Sequence, residues 1–196
     1  MQLHHPFCLS VLLTFFLTIA DLNSVRAQTN PAFAHVRFNN LIDITGTPYM
    51  VASKRYYDKA YNQKNNFLLF INTNNGENHK VSFPEDADLG KPQEVRIDSL
   101  NIHWLVLSAR TKNVNNDKGI DWNDPTQLFL VSTDGKQKTQ LTVDSFYVQN
   151  WEVNHYTGRI LVSGYYDANA NRKYDRGDVN EIQVFDLRSL KLIFRL

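Results

Sequence analysis

The sequence has a single cysteine among its 196 residues, Cys8, and that residue lies in the N-terminal segment. Residues 28–196 therefore contain no thiol, which excludes disulfide bridges, cysteine nucleophiles and cysteine-ligated metal sites there. A dominant charge is also missing, because 21 Lys and Arg are balanced by 20 Asp and Glu spread along the chain. This balance argues against nucleic acid and an anionic membrane surface as obligatory partners.

Long helical periodicity is absent as well. No segment carries an apolar stripe of helical period for more than two turns. Instead, short apolar runs rich in Val, Ile, Leu, Phe and Tyr are bounded by Asn, Asp and Gly, as in strands. Gly76, Gly135 and Gly158 each follow a turn-forming residue and permit the positive φ that tight hairpins require. The pattern predicts an all-β protein.

The N-terminal segment has the pattern of a secretory signal. Pro6 to Ala20 are mostly apolar, in a run too short to span a bilayer comfortably. Val25-Arg26-Ala27 then offers a small-x-Ala site, which predicts cleavage before Gln28. Residues 1–27 are expected to be a signal peptide, and residues 28–196 a single secreted or periplasmic domain with no integral membrane segment. An uncleaved membrane anchor is the alternative.

The remaining chain contains an internal repeat. When the chain is aligned with itself at one constant offset, apolar positions coincide, namely Val106 with Ile160, Leu107 with Leu161, Leu128 with Ile182 and Leu130 with Val184. An earlier, degenerate copy is visible where Tyr49–Ser53 resembles Trp104–Ser108 and Phe67–Ile71 resembles Gln127–Val131. The repeat predicts about three units of strands, over residues 36–90, 91–142 and 143–196.

These units resemble the repeats of TolB-like periplasmic β-propellers. The segment LFLVSTDGKQKTQLT, which ends at Leu141-Thr142, is similar to the outer hairpin of such a repeat. The resemblance implies four-stranded propeller-like units and a periplasmic role in protein interactions. Closed propellers have about four to eight blades. Three units therefore predict a propeller that is incomplete, completed by oligomerisation, or a fragment of a larger assembly.

Two acidic loops occupy equivalent places in the last two units. Both put oxygen side chains at positions 1, 3, 5, 9 and 12 and a backbone carbonyl at position 7, the spacing of EF-hand calcium loops. They resemble the EF-hand-like loops of secreted bacterial proteins. The candidate calcium ligands are Asn113, Asn115, Asp117, Gly119, Asp121 and Asp124 in the first loop, and Asp167, Asn169, Asn171, Lys173, Asp175 and Asp178 in the second.

The loops also depart from the EF-hand pattern. Position 12 is Asp instead of Glu, and position 6, normally Gly, is Lys118 in one loop and Arg172 in the other. A bound calcium ion would therefore be held weakly and would be structural, tying down a long hairpin connection. The alternative is that both stretches are solvated turns, in which Asn and Asp bind their own backbone.

No other motif indicates catalysis. His35, His79, His103 and His155 form no metal-binding pair, and there is no nucleophile elbow or phosphate-binding glycine loop. The aromatic residues are expected to pack between sheets. A second interpretation places Tyr165-Tyr166 or Trp122 in a carbohydrate or peptide site beside an acidic loop.

The sequence favours a non-enzymatic binding module with one or two structural calcium ions and a protein or glycan partner. A small polysaccharide hydrolase or lyase is the alternative from another class. It requires two carboxylates converging in a cleft away from both acidic loops. A fragment of a larger propeller and a homo-oligomer also remain open.

Overall fold

A computed structural model describes residues 33, 36, 38, 40–53, 66–114 and 119–196. The expected signal peptide, its cleavage site and the alternative anchor lie outside these residues. The chain divides into Met1–His35 and Val36–Leu196, and the described strands all belong to the second unit. Within the described residues, no helix is long and apolar enough to cross a membrane.

The described residues form three antiparallel sheets that follow one another along the chain. Blade A consists of β1 (Asn40–Asp43), β2 (Tyr49–Ser53), β3 (Phe67–Asn72) and β4 (Asn78–Ser82). Blade B consists of β5 (Asp88–Leu89), β6 (Gln93–Ile97), β7 (Ile102–Arg110), β8 (Gln127–Ser132) and β9 (Lys138–Gln140). Blade C consists of β10 (Tyr147–Asn154), β11 (Arg159–Tyr166), β12 (Val179–Asp186) and β13 (Lys191–Arg195).

In every blade the strand order in space is the order along the chain. Blade B has five strands by count, but β5 and β6 both pair with β7 along the same edge and act as one broken strand. The break lies at Gly90, whose amide donates to the Ser108 carbonyl at 2.8 Å. The expectation of an all-β protein with three four-stranded, propeller-like units is confirmed, and the sheets of the described residues do not close into a ring.

The glycines of the predicted hairpin turns have the positive φ values that glycine adopts readily. Gly76, Gly135 and Gly158 have φ values of 76°, 70° and 69°. Gly135 is further constrained, because a Cβ there would lie 2.7 Å from the ring of Phe70 in blade A. The β8–β9 turn can therefore rest on blade A only with glycine at this position.

Each blade has two faces, since alternate side chains of a strand point to opposite sides. We call the face toward the next blade along the chain its front face, and the opposite one its back face. Val51, Leu68 and Phe70 on the front of blade A pack with Leu105, Leu107 and Phe129 on the back of blade B. Burial of this apolar surface is the main force joining the two blades.

A second apolar core joins blades B and C. Val106, Leu128 and Leu130 on the front of blade B pack with Ile160, Val162 and Phe185 on the back of blade C. Phe146, from the connection between the two blades, is fully buried in the same core. Blade B is thus sandwiched between its neighbours, as the middle blade of a stack.

The packing refines the repeat found in the sequence. Leu105 pairs with Val131, and Ile160 pairs with Phe185; all four lie on back faces. The strand β7 therefore matches β11 with Leu105 on Ile160 and Val106 on Leu161, one residue away from the alignment that the sequence suggests. An error of one residue in register moves every side chain of a strand to the other face.

Candidate functional site

The two acidic loops lie at corresponding places in blades B and C. Residues 111–126 connect β7 to β8, and residues 167–178 connect β11 to β12, so each loop joins the two middle strands of its blade. Thr126, at the end of the first loop, accepts a hydrogen bond from the Val148 amide at 3.0 Å, and the neighbouring Tyr147 pairs with Tyr165, two residues before the second loop. The ends of the two loops therefore lie on the same side of the molecule.

The loop in blade C is held together by its own carboxylates. Asp167, at position 1, accepts hydrogen bonds from the amides of Asn171 at 3.2 Å and Arg172 at 2.7 Å. Asp178, at position 12, accepts from the amides of Asp175 at 2.8 Å and Ala168 at 3.3 Å. The first and last carboxylates therefore fold the loop back on itself.

Three candidate ligands meet in the middle of this loop. The side-chain amide of Asn169 (position 3) lies 3.2 Å from both oxygens of Asp175 (position 9), and that of Asn171 (position 5) contacts the same carboxylate. The assignment of Nδ2 and Oδ1 in an Asn side chain follows from its hydrogen bonds, so turning the amide group over would point its oxygen inward. Positions 3, 5 and 9 thus converge on one point.

The electrostatics of the loop centre favour an ionised carboxylate. The amide of Gly177 and the side chains of Asn171 and Asn169 donate to Asp175 and hold its pKa below the ordinary value. An acceptor-only carboxylate at this place suits a hard cation, since calcium takes oxygen ligands alone.

The backbone also accommodates the unusual residue at position 6. Arg172 has a φ of 65° and Ala170 one of 55°, both in the left-handed region. The EF-hand pattern reserves position 6 for glycine because its loop turns sharply there. Arg172 therefore adopts a left-handed backbone at position 6 although it is not glycine.

The loop in blade B repeats the same framework. Asp124 accepts from the amides of Val114 at 3.0 Å and Asp121 at 2.9 Å, and Asp121 accepts from the amide of Asn123 at 2.8 Å. Each of these bonds has its equivalent at the matching positions of the blade C loop. Asn115 and Asp117 are outside the described residues, so positions 3 and 5 of this loop stay predictions.

The two loops differ in how deeply they are set. Asp124 and Ile120 (position 8) are buried, and the Ile120 amide donates to Asp86 at 2.9 Å, which binds the first loop to the β4–β5 connection. Tyr174, at position 8 of the second loop, is exposed. Among the described residues, no three His, Cys, Asp or Glu side chains are close enough to hold a metal ion.

Three tyrosines form a cluster beside the second loop. The Tyr147 and Tyr165 rings are parallel with centroids 4.8 Å apart, and Tyr174 meets Tyr165 at 5.0 Å. Burial, followed by the negative charge of Asp167, raises the pKa of Tyr147 to about 12. Burial and then Asp178 raise the pKa of Tyr165 in the same direction. These hydroxyls therefore stay protonated and can donate hydrogen bonds.

The two rings of the predicted aromatic pair Tyr165-Tyr166 face opposite sides of blade C. Tyr166 lies on the back face of blade C, where its ring meets Phe146 and its hydroxyl accepts from Gln183. Tyr165 points to the other side because neighbouring residues of a strand alternate. Trp122, in the first loop, is exposed. The sequence missed Tyr147, whose place next to Tyr165 follows only from the β10–β11 pairing.

A cavity of about 330 Å³ lies away from these loops, at the hairpin ends of blades A and B. Its walls are polar and come from Tyr49, Asn72, Glu77, Asn78, His79 and Lys136. Glu77 is the one carboxylate among these lining residues, whereas the hydrolase alternative requires two.

The fold and the loops define a class: an all-β protein of stacked, propeller-like blades with acidic loops between middle strands. Comparison with protein-family models and with curated proteins finds no match. Among solved structures, the chain is similar to Pyrococcus horikoshii acylaminoacyl peptidase, with a TM-score of 0.42 and 12% identity. The match covers 81% of this chain and 24% of that one, so the chain spans about a quarter of its length.

Proposed function

We propose that the protein is a secreted or periplasmic, non-enzymatic binding module whose acidic loops hold structural calcium ions. The observation that carries the proposal is the convergence of Asn169, Asn171 and Asp175 at positions 3, 5 and 9 of the second loop. The repetition of the end-capping bonds in the first loop supports the same role for both. Calcium takes six to eight oxygens, which the loop side chains, a backbone carbonyl and water would supply together.

A calcium ion in these loops would fix the surface beside them. The loop in blade C carries Tyr174, which packs on Tyr165, and the loop in blade B carries the exposed Trp122. Aromatic rings with polar neighbours contribute large contact areas in the recognition of proteins and glycans. The proposed module therefore binds its partner with the aromatic residues and uses calcium to position them.

The test is thermal unfolding of the purified protein in EDTA and in millimolar calcium, with equal magnesium as an ionic-strength control. A ligand bound only by the folded state adds about 1.4 kcal/mol at ten times its Kd. For a chain of this size we expect a rise in Tm of about 3–6 °C. The expected Kd is on the order of 10⁻⁴–10⁻³ M, as for extracellular calcium modules.

Conservative variants assign the effect to the loop. Asp167→Asn and Asp178→Asn keep an acceptor for the backbone amides but remove a charged ligand, so we expect each to lose most of the calcium-dependent rise. Asp43→Asn, on an exposed strand position of blade A, is the matched control and should keep it. Absence of a rise in the unmodified protein, or an equal rise in all three variants, would show that the loops are solvated turns.

A further inference from the structure

The front face of blade C is an uncovered copy of the surfaces that join the other blades. Val51, Leu68 and Phe70 on blade A and their counterparts on blade B, Val106, Leu128 and Leu130, are fully buried by the next blade. In blade C the equivalent side chains are Leu161, Ile182 and Val184. Leu161 is 43% exposed and Ile182 38% exposed, whereas Val184 is 2% exposed.

The apolar surface continues across β13 and the residue after it. Phe194 pairs with Val184 and is 42% exposed, and Leu196 is hydrogen-bonded opposite Ile182 and is 76% exposed. Charged residues border this apolar surface on the same face, since Glu152 pairs with Leu161, and Asp186 pairs with Arg159 and Lys191. Contiguous exposed apolar surface of this kind marks an interaction site in a soluble protein.

We propose that this face binds the same face of a second copy, forming a two-fold symmetric dimer. A head-to-tail contact would instead require the back face of blade A, but Ala52, Phe67 and Leu69 on that face are already buried, with the Phe38 ring against Phe67. The pairing of identical patches avoids that buried face, and it has the commonest symmetry of soluble oligomers.

The size of the face allows only a small interface. Four strands at about 4.8 Å spacing and eight residues at about 3.4 Å rise outline roughly 500 Å² of sheet. The accessible area of the side chains standing on it is larger, and a standard interface needs about 800 Å² per partner. The dimer therefore belongs at the lower end of stable interfaces and should dissociate on dilution.

Charge at the two edges of the face fixes its orientation. Glu152 lies on the β10 edge, opposite Leu161, and Lys191 lies on the β13 edge, opposite Asp186. A two-fold axis parallel to the strands places β10 of each copy over β13 of the other and brings Glu152 near Lys191 of the second copy. An axis across the strands at the height of Glu152 would place that residue over its own equivalent, which is unfavourable.

The first test measures the molar mass of the protein by analytical ultracentrifugation. The full-length gene product is expressed, processed by the cell, purified and sedimented at nanomolar to micromolar concentrations. The unmodified protein should reach twice the chain mass. Leu161→Glu should sediment as a monomer with an unchanged far-UV spectrum. Leu41→Glu, at an exposed position of blade A, is the control and should stay dimeric. A monomer at every concentration, or a dimeric Leu161→Glu variant, would overturn the proposal.

A charge-swap cycle tests the orientation with variants at exposed positions. Glu152→Lys and Lys191→Glu should each weaken the dimer at least tenfold in Kd, and the double variant should restore most of the loss. Within one chain the two residues are three strands apart, about 14 Å, so they cannot compensate each other intramolecularly. Additive weakening in the double variant would reject the arrangement with β10 over β13.

Discussion

At the scale of single residues, Glu94 joins blades A and B by hydrogen bonds. One of its oxygens accepts from the Thr45 amide at 2.9 Å and lies 2.7 Å from His103 Nε2, and the other accepts from the Thr45 hydroxyl at 3.0 Å. Arg96 donates to the Thr45 carbonyl at 3.0 Å. The β1–β2 turn of blade A is thus clamped to β6 of blade B.

Glu94→Gln should weaken this clamp in a pH-dependent way. Burial raises the pKa of Glu94, but hydrogen bonds from His103 and Thr45 outweigh it and hold the pKa below its ordinary value. A carboxyl group of this kind stabilises the fold above its unfolded pKa, and the contribution is lost as pH falls through the folded pKa. At pH 7 we expect the variant to lose about 1–3 kcal/mol of unfolding free energy.

Urea unfolding across pH measures the effect. The difference between the unmodified protein and Glu94→Gln should shrink as the pH falls below the ordinary Glu pKa of about 4.3 and through the lower pKa of the folded state. A difference that stays constant from neutral to acidic pH would show that the charge of Glu94 has no part in the clamp.

Only the contacts between residues that are close along the chain could be predicted from the sequence. The bonds within the acidic loops join residues close along the chain, so regular spacing of Asp and Asn was enough to place Asp167, Asp175 and Asp178 in one loop. Glu94 binds Thr45, which is distant along the chain and lies in another blade. No periodicity records that contact, because it depends on how two blades stack.

At the scale of the element, Gly164 decides how β10 approaches β11. A Cβ at this position would lie 2.3 Å from the Tyr147 carbonyl oxygen and 2.7 Å from the Phe146 ring. The pairing of the two strands is irregular between Val148 and Asn150, next to this contact. Glycine therefore lets the two strands come together above the buried phenylalanine.

Gly164→Ala should push these strands apart. Because the obstructing atom is backbone and cannot move freely, we expect a loss of about 1–3 kcal/mol in unfolding free energy, as for overpacked cores. Ser163→Ala, one residue earlier on the opposite face, is the control and should change stability by less than about 0.5 kcal/mol. Chemical denaturation of the three proteins gives the comparison; equal stabilities would mean that β10 can shift at little cost.

At the scale of the elements, the sequence did not predict how the residues of β7 correspond to those of β11. The strands and their glycine turns followed from short apolar runs bounded by Asn, Asp and Gly, and the number of units followed from the internal repeat. The register that relates β7 to β11 did not, because aligning Val106 with either Ile160 or Leu161 matches apolar residues equally well. Only the side of the sheet on which each residue is buried distinguishes the two alignments.

At the scale of the whole molecule, the blades are joined by two cores that share blade B. Phe146→Ala removes a fully buried ring from the second core and should cost about 3–5 kcal/mol. Val143→Ala, exposed in the same connection, should cost less than about 0.5 kcal/mol. Far-UV circular dichroism and intrinsic fluorescence should report one common transition for the parent protein, whereas separate transitions would mean that the blades unfold independently.

The number of blades could be predicted from the sequence, but their boundary surfaces could not. Leu161, Ile182 and Phe194 are apolar residues on strands, like many that are buried elsewhere in the chain. Their exposure becomes apparent only when the third blade has no neighbour on its front face within the described residues.

The agreement between chain order and strand order in each sheet has a consequence for biosynthesis. A blade can form as soon as its own strands emerge from the ribosome or a translocation pore, without waiting for distant segments. Until the following blade emerges, however, the apolar front face of the newest blade is exposed and prone to aggregation. For blades A and B this interval ends when the next blade forms; for blade C it would end when the proposed dimer forms.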